Sequence, residues 1–264
     1  SNVSGIGGSL MRARPKFVAT YPVPLPPRAE QERIVARIES LFARLDKARE
    51  KVDAVLGRCA ARKAALLHKA FSGELTTAWR KARGIGLESW RQLNFSEVAQ
   101  IQCNLVNPKD FLDLPHIAPD NIEKGTGQLL EYRTIAEDKV ISGKHHFYAG
   151  HILYSKIRPY LSKVVLVDFE GLCSADMYPI LAKENANFLW YYMLSNRFLE
   201  QASTAGSRTL LPKINQKELA KIVVLLPCLQ EQAEIVRILD ELLARERRAQ
   251  EAAERVAARI EQIK

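Results

Sequence analysis

The chain has 264 residues, 47% apolar and 26% charged, which leaves room for a sizeable core and excludes wholesale disorder. Thirty-nine Lys and Arg against 30 Asp and Glu leave +9, so nucleic acid is the first partner to test. No apolar run nears the roughly 18 residues of a membrane span, no secretory leader is visible, and four scattered cysteines without a CxxC pair exclude a disulfide scaffold and a zinc ribbon.

These features read as a cytoplasmic protein without a membrane partner. The sequence opens at Ser1-Asn2-Val3 without Met and reads as a fragment or a processed piece. Residues 1–27 read as the tail of a preceding domain, ending in the hinge Pro24-Leu25-Pro26-Pro27. A first helix is expected within 28–76, from Ala29 to Phe71, and it ends at Ser72-Gly73. Along it Ile34, Ile38, Leu41, Leu45, Ala48, Val52, Val55 and Cys59 follow at alternating spacings of four and three. That is a heptad seam, the pattern of a left-handed coiled coil.

A basic linker, Trp79 to Leu87, leads into a mixed α/β region, and residues 77–226 read as one domain. Strands are expected at Phe95 to Ile101 and His151 to Val167, and a helix at Ala186 to Gln201. Between Lys139 and Val167 there are five Lys/Arg, three His and no acid. Alternate residues Tyr154, Lys156, Arg158 and Tyr160 would share one strand face, because side chains alternate with period two. A basic face interleaved with aromatics suits phosphates and guanine edges. Lys144, His145 and His146 are placed on the preceding loop, Lys163 follows, and Arg208 and Lys213 lie in a second acid-free window. The alternative is an exposed strand with ordinary solvated charges.

Catalytic patterns are not found. Lys124-Gly125-Thr126-Gly127 lacks the spacing of a phosphate loop. Asn107-Pro108-Lys109 is not the adenine-methyltransferase signature, and His145, His146 and His151 have no ligand-spaced Cys or carboxylate. No cofactor, metal or catalytic residue is therefore assigned.

After Pro227 a second helix is expected over 227–264, with Ile235, Leu239, Leu242, Glu246, Ala249, Ala253, Val256 and Ile260 in the same rhythm. The two helices repeat one another. At an offset of 201, Val23, Leu25, Pro26, Glu30, Gln31, Ile34, Val35, Leu41, Ala43 and Arg44 meet identical residues. The expected fold is α+β: a mixed α/β domain flanked by two long helices that pair as an antiparallel coiled coil.

Pro26-Pro27-Arg28-Ala29-Glu30-Gln31 and Pro227-Cys228-Leu229-Gln230-Glu231-Gln232, each followed by Ile-Val, resemble the conserved helices of type I restriction-modification specificity subunits. Lys69 to Thr76 is similar to that family's exit from its central helix, and Gly150 to Leu161 and Cys173 to Pro179 look like signatures of its target recognition domain. The resemblance implies a non-catalytic subunit that reads one half of a split site on double-stranded DNA. It also implies a scaffold for methyltransferase and restriction subunits. With one complete recognition domain, the chain would be a truncated or half-length subunit, and a homodimer through the helices would rebuild the pair. The competing reading is a structural coiled-coil interaction protein that does not read DNA.

Overall fold

The computed structural model describes residues 3–5, 11–13, 18–205 and 212–263. In chain order the elements are β1 (Val3–Gly5), β2 (Met11–Ala13), α1 (Arg28–Phe71), α2 (Thr77–Lys81), β3 (Arg91–Asn94), α3 (Phe95–Val98) and β4 (Ala99–Ile101). They continue with β5 (Leu105–Val106), β6 (Pro115–Ile117), β7 (Arg133–Thr134), β8 (Lys144–Phe147), β9 (Ile152–Ser155), β10 (Val164–Leu166), β11 (Gly171–Cys173) and β12 (Met177–Ala182). The chain closes with α4 (Ala186–Met193), α5 (Asn196–Ala205), α6 (Gln216–Ala220), β13 (Val223–Leu226) and α7 (Leu229–Ile263). Two compact units are formed, Val55–Ala253 and Ser1–Ala54 with Glu254–Lys264.

The larger unit holds two sheets of different strand order, β10-β9-β12-β4 and β5-β8-β11-β6-β7, and the short pair β13-β3. All pairings in these sheets are antiparallel except β11 with β6. The expected strand Phe95 to Ile101 begins instead as helix α3, because the Glu97 carboxylate reaches back to accept from the Asn94 amide and caps its start. The expected helix Ala186 to Gln201 is broken into α4 and α5, with the Ser195 hydroxyl bonded to the Tyr192 carbonyl and accepting from the Phe198 amide at the break.

One core joins the domain to the helices. Phe71 of α1 meets Phe188 and Tyr192 of α4 edge-on, at centroid distances of 5.4 and 5.2 Å. Leu67, Ala70, Ile235 and Leu239 are buried in the same cluster. The helices run antiparallel in this unit: Arg62 pairs with Glu246 at 3.0 Å, while Thr76, just past the end of α1, donates to Glu231 near the start of α7. This second contact belongs to a buried knot. Glu231 is fully buried and accepts from Thr76 Oγ1 (2.6 Å), Arg80 (2.6 Å) and Trp90 Nε1 (2.9 Å). The segment read as a plain basic linker therefore supplies a structural cation, Arg80, from α2.

In the smaller unit Arg49 bonds Glu261 at 2.6 Å, and Ile260 is buried. Leu45 and Val52 are half-buried, as are Val55 and Leu242 in the larger unit. The first turns of the seam are open to solvent: Ile34, Ile38 and Leu41 are about 45% exposed, and Val256 is exposed as well. Their repeat mates behave otherwise, since Ile235 is fully buried. Both helices start alike, with Gln31 Nε2 bonded to the Pro26 carbonyl and Gln232 Nε2 to the Pro227 carbonyl. Among the described residues, no helix is long and apolar enough to cross a membrane.

Candidate nucleic-acid interface

The strand that begins at Ile152 stops at Ser155, and the reason lies in its neighbours. The Lys156 amide donates to the Asp176 carbonyl, Ile157 bridges Lys213, and the Ile214 amide donates to the Lys156 carbonyl. Arg158 then takes the left-handed conformation (φ 48°, ψ 59°), with its amide bonded to the Pro212 carbonyl at 2.7 Å. Pro159–Leu161 form one 3₁₀ turn, and Ser162 is left-handed again at φ 47°. Non-glycine residues at positive φ are uncommon and persist only where surrounding bonds fix them. At Arg158 the fixing bonds come from residues 212–214, and at Ser162 from Pro159 and Gly125.

This geometry corrects the single strand face. Tyr154 is only 1% exposed, pairs across the sheet with Val164 and Tyr178, and meets Phe198 edge-on at 5.6 Å. Burial pushes its phenol pKa upward, and it is a core residue. Lys156 is partly turned inward. Its Nζ donates to the Ala175 carbonyl at 2.7 Å, lies 5.5 Å from the Tyr178 ring centre and 3.9 Å from Asp176. Arg158 and Tyr160 are the two residues of the four that stand exposed. Among the described residues, nothing pairs with the Arg158 guanidinium.

Lys144, His145 and His146 are not on a loop but on β8, paired between β5 and β11, and all three are buried. Lys144 Nζ bonds the Ser142 hydroxyl and carbonyl, and His146 Nε2 meets Glu170 at 2.8 Å. Burial, then the Lys156 charge, lowers the His145 pKa, which keeps its imidazole neutral at pH 7. These three do not face outward with Arg158. Lys163 is also committed internally, to the Pro119 carbonyl at 2.7 Å and to Asp120. Lys213 is half-exposed and bonds Asp176 at 3.2 Å. Arg208 lies outside the described residues.

Asp176 is the residue that charge windows along the sequence could not place. It enters the acid-free stretch from another strand connection and touches both Lys156 and Lys213. Its segment, Cys173 to Pro179, was singled out by motif but not by charge. Among the described residues, no group of three or more His, Cys, Asp or Glu is placed to hold a metal ion.

The molecule is thus a mixed α/β domain carried on two long antiparallel helices, with a constrained turn presenting a cation and an aromatic ring. The model of the type I restriction modification DNA specificity domain matches residues 89–254, and the chain belongs to that family. It is 40% identical to the type I restriction enzyme EcoDI specificity subunit of Escherichia coli, over 91% of this chain and 59% of that protein. It is 25% identical to the EcoKI specificity subunit of Escherichia coli K12, over 90% of this chain and 54% of that protein. The chain therefore spans less than two thirds of these relatives. Two solved chains share the fold. One comes from work on complex assembly and conformational transition of the type I R-M system (TM-score 0.65, 19% identity, 98% of this chain and 63% of that one). The other is the HsdS subunit from Thermoanaerobacter tengcongensis (TM-score 0.59, 20% identity, 98% and 64%).

Proposed function

We propose that this chain is a DNA-reading, non-catalytic specificity subunit of a type I restriction-modification complex, acting in the cytoplasm. Its domain at 77–226 reads one half of a split site on double-stranded DNA. The helices at 28–76 and 227–264 seat the methyltransferase and restriction subunits, and residues 1–27 end a preceding recognition domain. The observation that carries the reading is the turn at Arg158–Ser162, in a chain of this family: a guanidinium without a described partner and a tyrosine ring are held outward on a backbone fixed at both ends. Such a pair can meet a base edge and a sugar-phosphate backbone. Lys213 and the partly covered Lys156 flank it. Self-association through the helices is part of the same proposal, supported by the open seam at Ile34, Ile38 and Leu41.

The test is duplex binding at several salt concentrations, with sequence selected from a randomised pool. A steep fall of affinity with salt and an enriched half-site are expected. Salt-independent or absent binding would instead favour the coiled-coil interaction reading, to which the open seam also points.

A further inference from the structure

Lys63 sits on α1, on the side that faces the domain, yet among the described residues no carboxylate lies within bonding distance of its ammonium. Its Nζ donates instead to two backbone carbonyls, Gly125 at 3.1 Å and Thr126 at 2.6 Å. That loop is clasped from the other side. Gly127 has φ +78°, and a Cβ there would stand 2.6 Å from the Trp190 ring of α4 and 2.9 Å from Leu194 just past its end. No larger residue fits between loop and helix without moving a core ring.

The loop in turn holds the exposed turn. The Gly125 amide donates to the Ser162 carbonyl at 3.2 Å, the Ser162 amide to the Pro159 carbonyl at 2.9 Å, and the Leu161 amide to the Arg158 carbonyl at 2.9 Å. A continuous run of polar contacts therefore leads from the long helix to Arg158, whose guanidinium has no partner among the described residues. Apolar packing is thin beside it: a cavity of about 450 Å³ is lined by Lys63, Thr126, Ser162, Trp190, Leu194 and Arg247. Where packing is sparse, a directional bond decides where a loop rests.

We propose that Lys63 is a positioning residue: through the carbonyls of Gly125 and Thr126 it sets the Arg158–Ser162 turn relative to the helix pair. This rests on the DNA-reading function proposed above. The cost of holding an ammonium there is visible. Burial first, and then the Arg247 charge, push the Lys63 pKa down to about 8, against an opposite pull from Glu123. A charge kept at such a cost on two carbonyls is poor stabilisation, which fits a role in placement.

The test compares the full chain with Lys63→Met, which keeps length and apolar volume, and with Lys63→Arg, which restores charge and donors into the adjoining cavity. Amide hydrogen exchange at Gly125, Leu161 and Ser162 should quicken in Lys63→Met while β9 and β12 keep their protection. The melting temperature should stay at or above the parent's. Affinity for duplexes enriched from a randomised pool should fall about five- to tenfold, the scale of one ordinary hydrogen bond, and recover in Lys63→Arg. Unchanged exchange at Leu161 and Ser162 overturns the proposal without any DNA measurement. Quickened exchange with unchanged affinity overturns the positioning role and leaves the DNA-reading function standing. A parent chain that enriches no duplex removes that function, and this proposal with it.

Discussion

Replacing Arg158 by Ala removes a cation that no described residue uses, so the change should be felt in binding and not in folding. If the guanidinium forks onto a guanine edge, the loss is about 1–3 kcal/mol and preference relaxes at one base pair. If it meets only phosphate, affinity falls evenly across sequences and the salt slope drops by about one. Titrations of enriched and scrambled duplexes at several salt concentrations separate the two. The buried Glu231 predicts the opposite behaviour. Its carboxylate neutralises Arg80 and satisfies Thr76 and Trp90, and neither side chain of the ion pair is more than 8% exposed. Glu231→Gln leaves Arg80 uncompensated and should cost about 3–5 kcal/mol. A urea midpoint that falls at constant slope would show it, whereas an unmoved midpoint would mean that the knot contributes nothing.

At the scale of elements, seam positions of the two helices do not have equal worth. Leu239 is fully buried, so Leu239→Ala should cost about 2–5 kcal/mol in thermal or denaturant unfolding. Leu41 is 45% exposed, and Leu41→Asp should change the stability of the isolated chain by no more than about 0.5 kcal/mol. The same substitution tests the proposed self-association, because a charge in the open seam should shift sedimentation to the smaller species. The helices themselves were legible in the sequence, since a heptad rhythm, a proline entry and a glycine exit are local signals. Which turns of the seam are covered was not, because coverage depends on what lies alongside. The turn at Arg158–Ser162 was legible as a motif, whereas the sequence reads as a strand there. Nothing between Tyr154 and Tyr160 announces that residues 212–214 will pair with 156–158, nor that Asp176 will stand between two lysines.

For the whole molecule, Lys63 gives stability a pH dependence whose sign is fixed. The unfolded chain keeps this proton to about pH 10.5, whereas the folded chain releases it near 8. Between those values the unfolded state binds more protons, so Lys63's contribution to stability rises with pH. The tyrosines Tyr178, raised to about 12 by burial, and Tyr191, also raised, act the other way once pH passes about 10. Denaturant unfolding of the parent and of Lys63→Met at pH 7, 8 and 9 should therefore show the parent gaining on the variant above pH 8; parallel curves would mean that the ammonium is not buried as described. The turn at Arg158–Ser162 has one more consequence. Its backbone is tied at both ends by carbonyls and amides, Pro159 is buried beneath it, and the Tyr160 side chain stands 49% exposed. Position 160 can therefore drift in sequence at a cost within about 0.5 kcal/mol, asking for no compensating change in the core. On the DNA-reading function proposed above, a lineage acquires a new preference at this position in a single step and keeps an intact fold throughout.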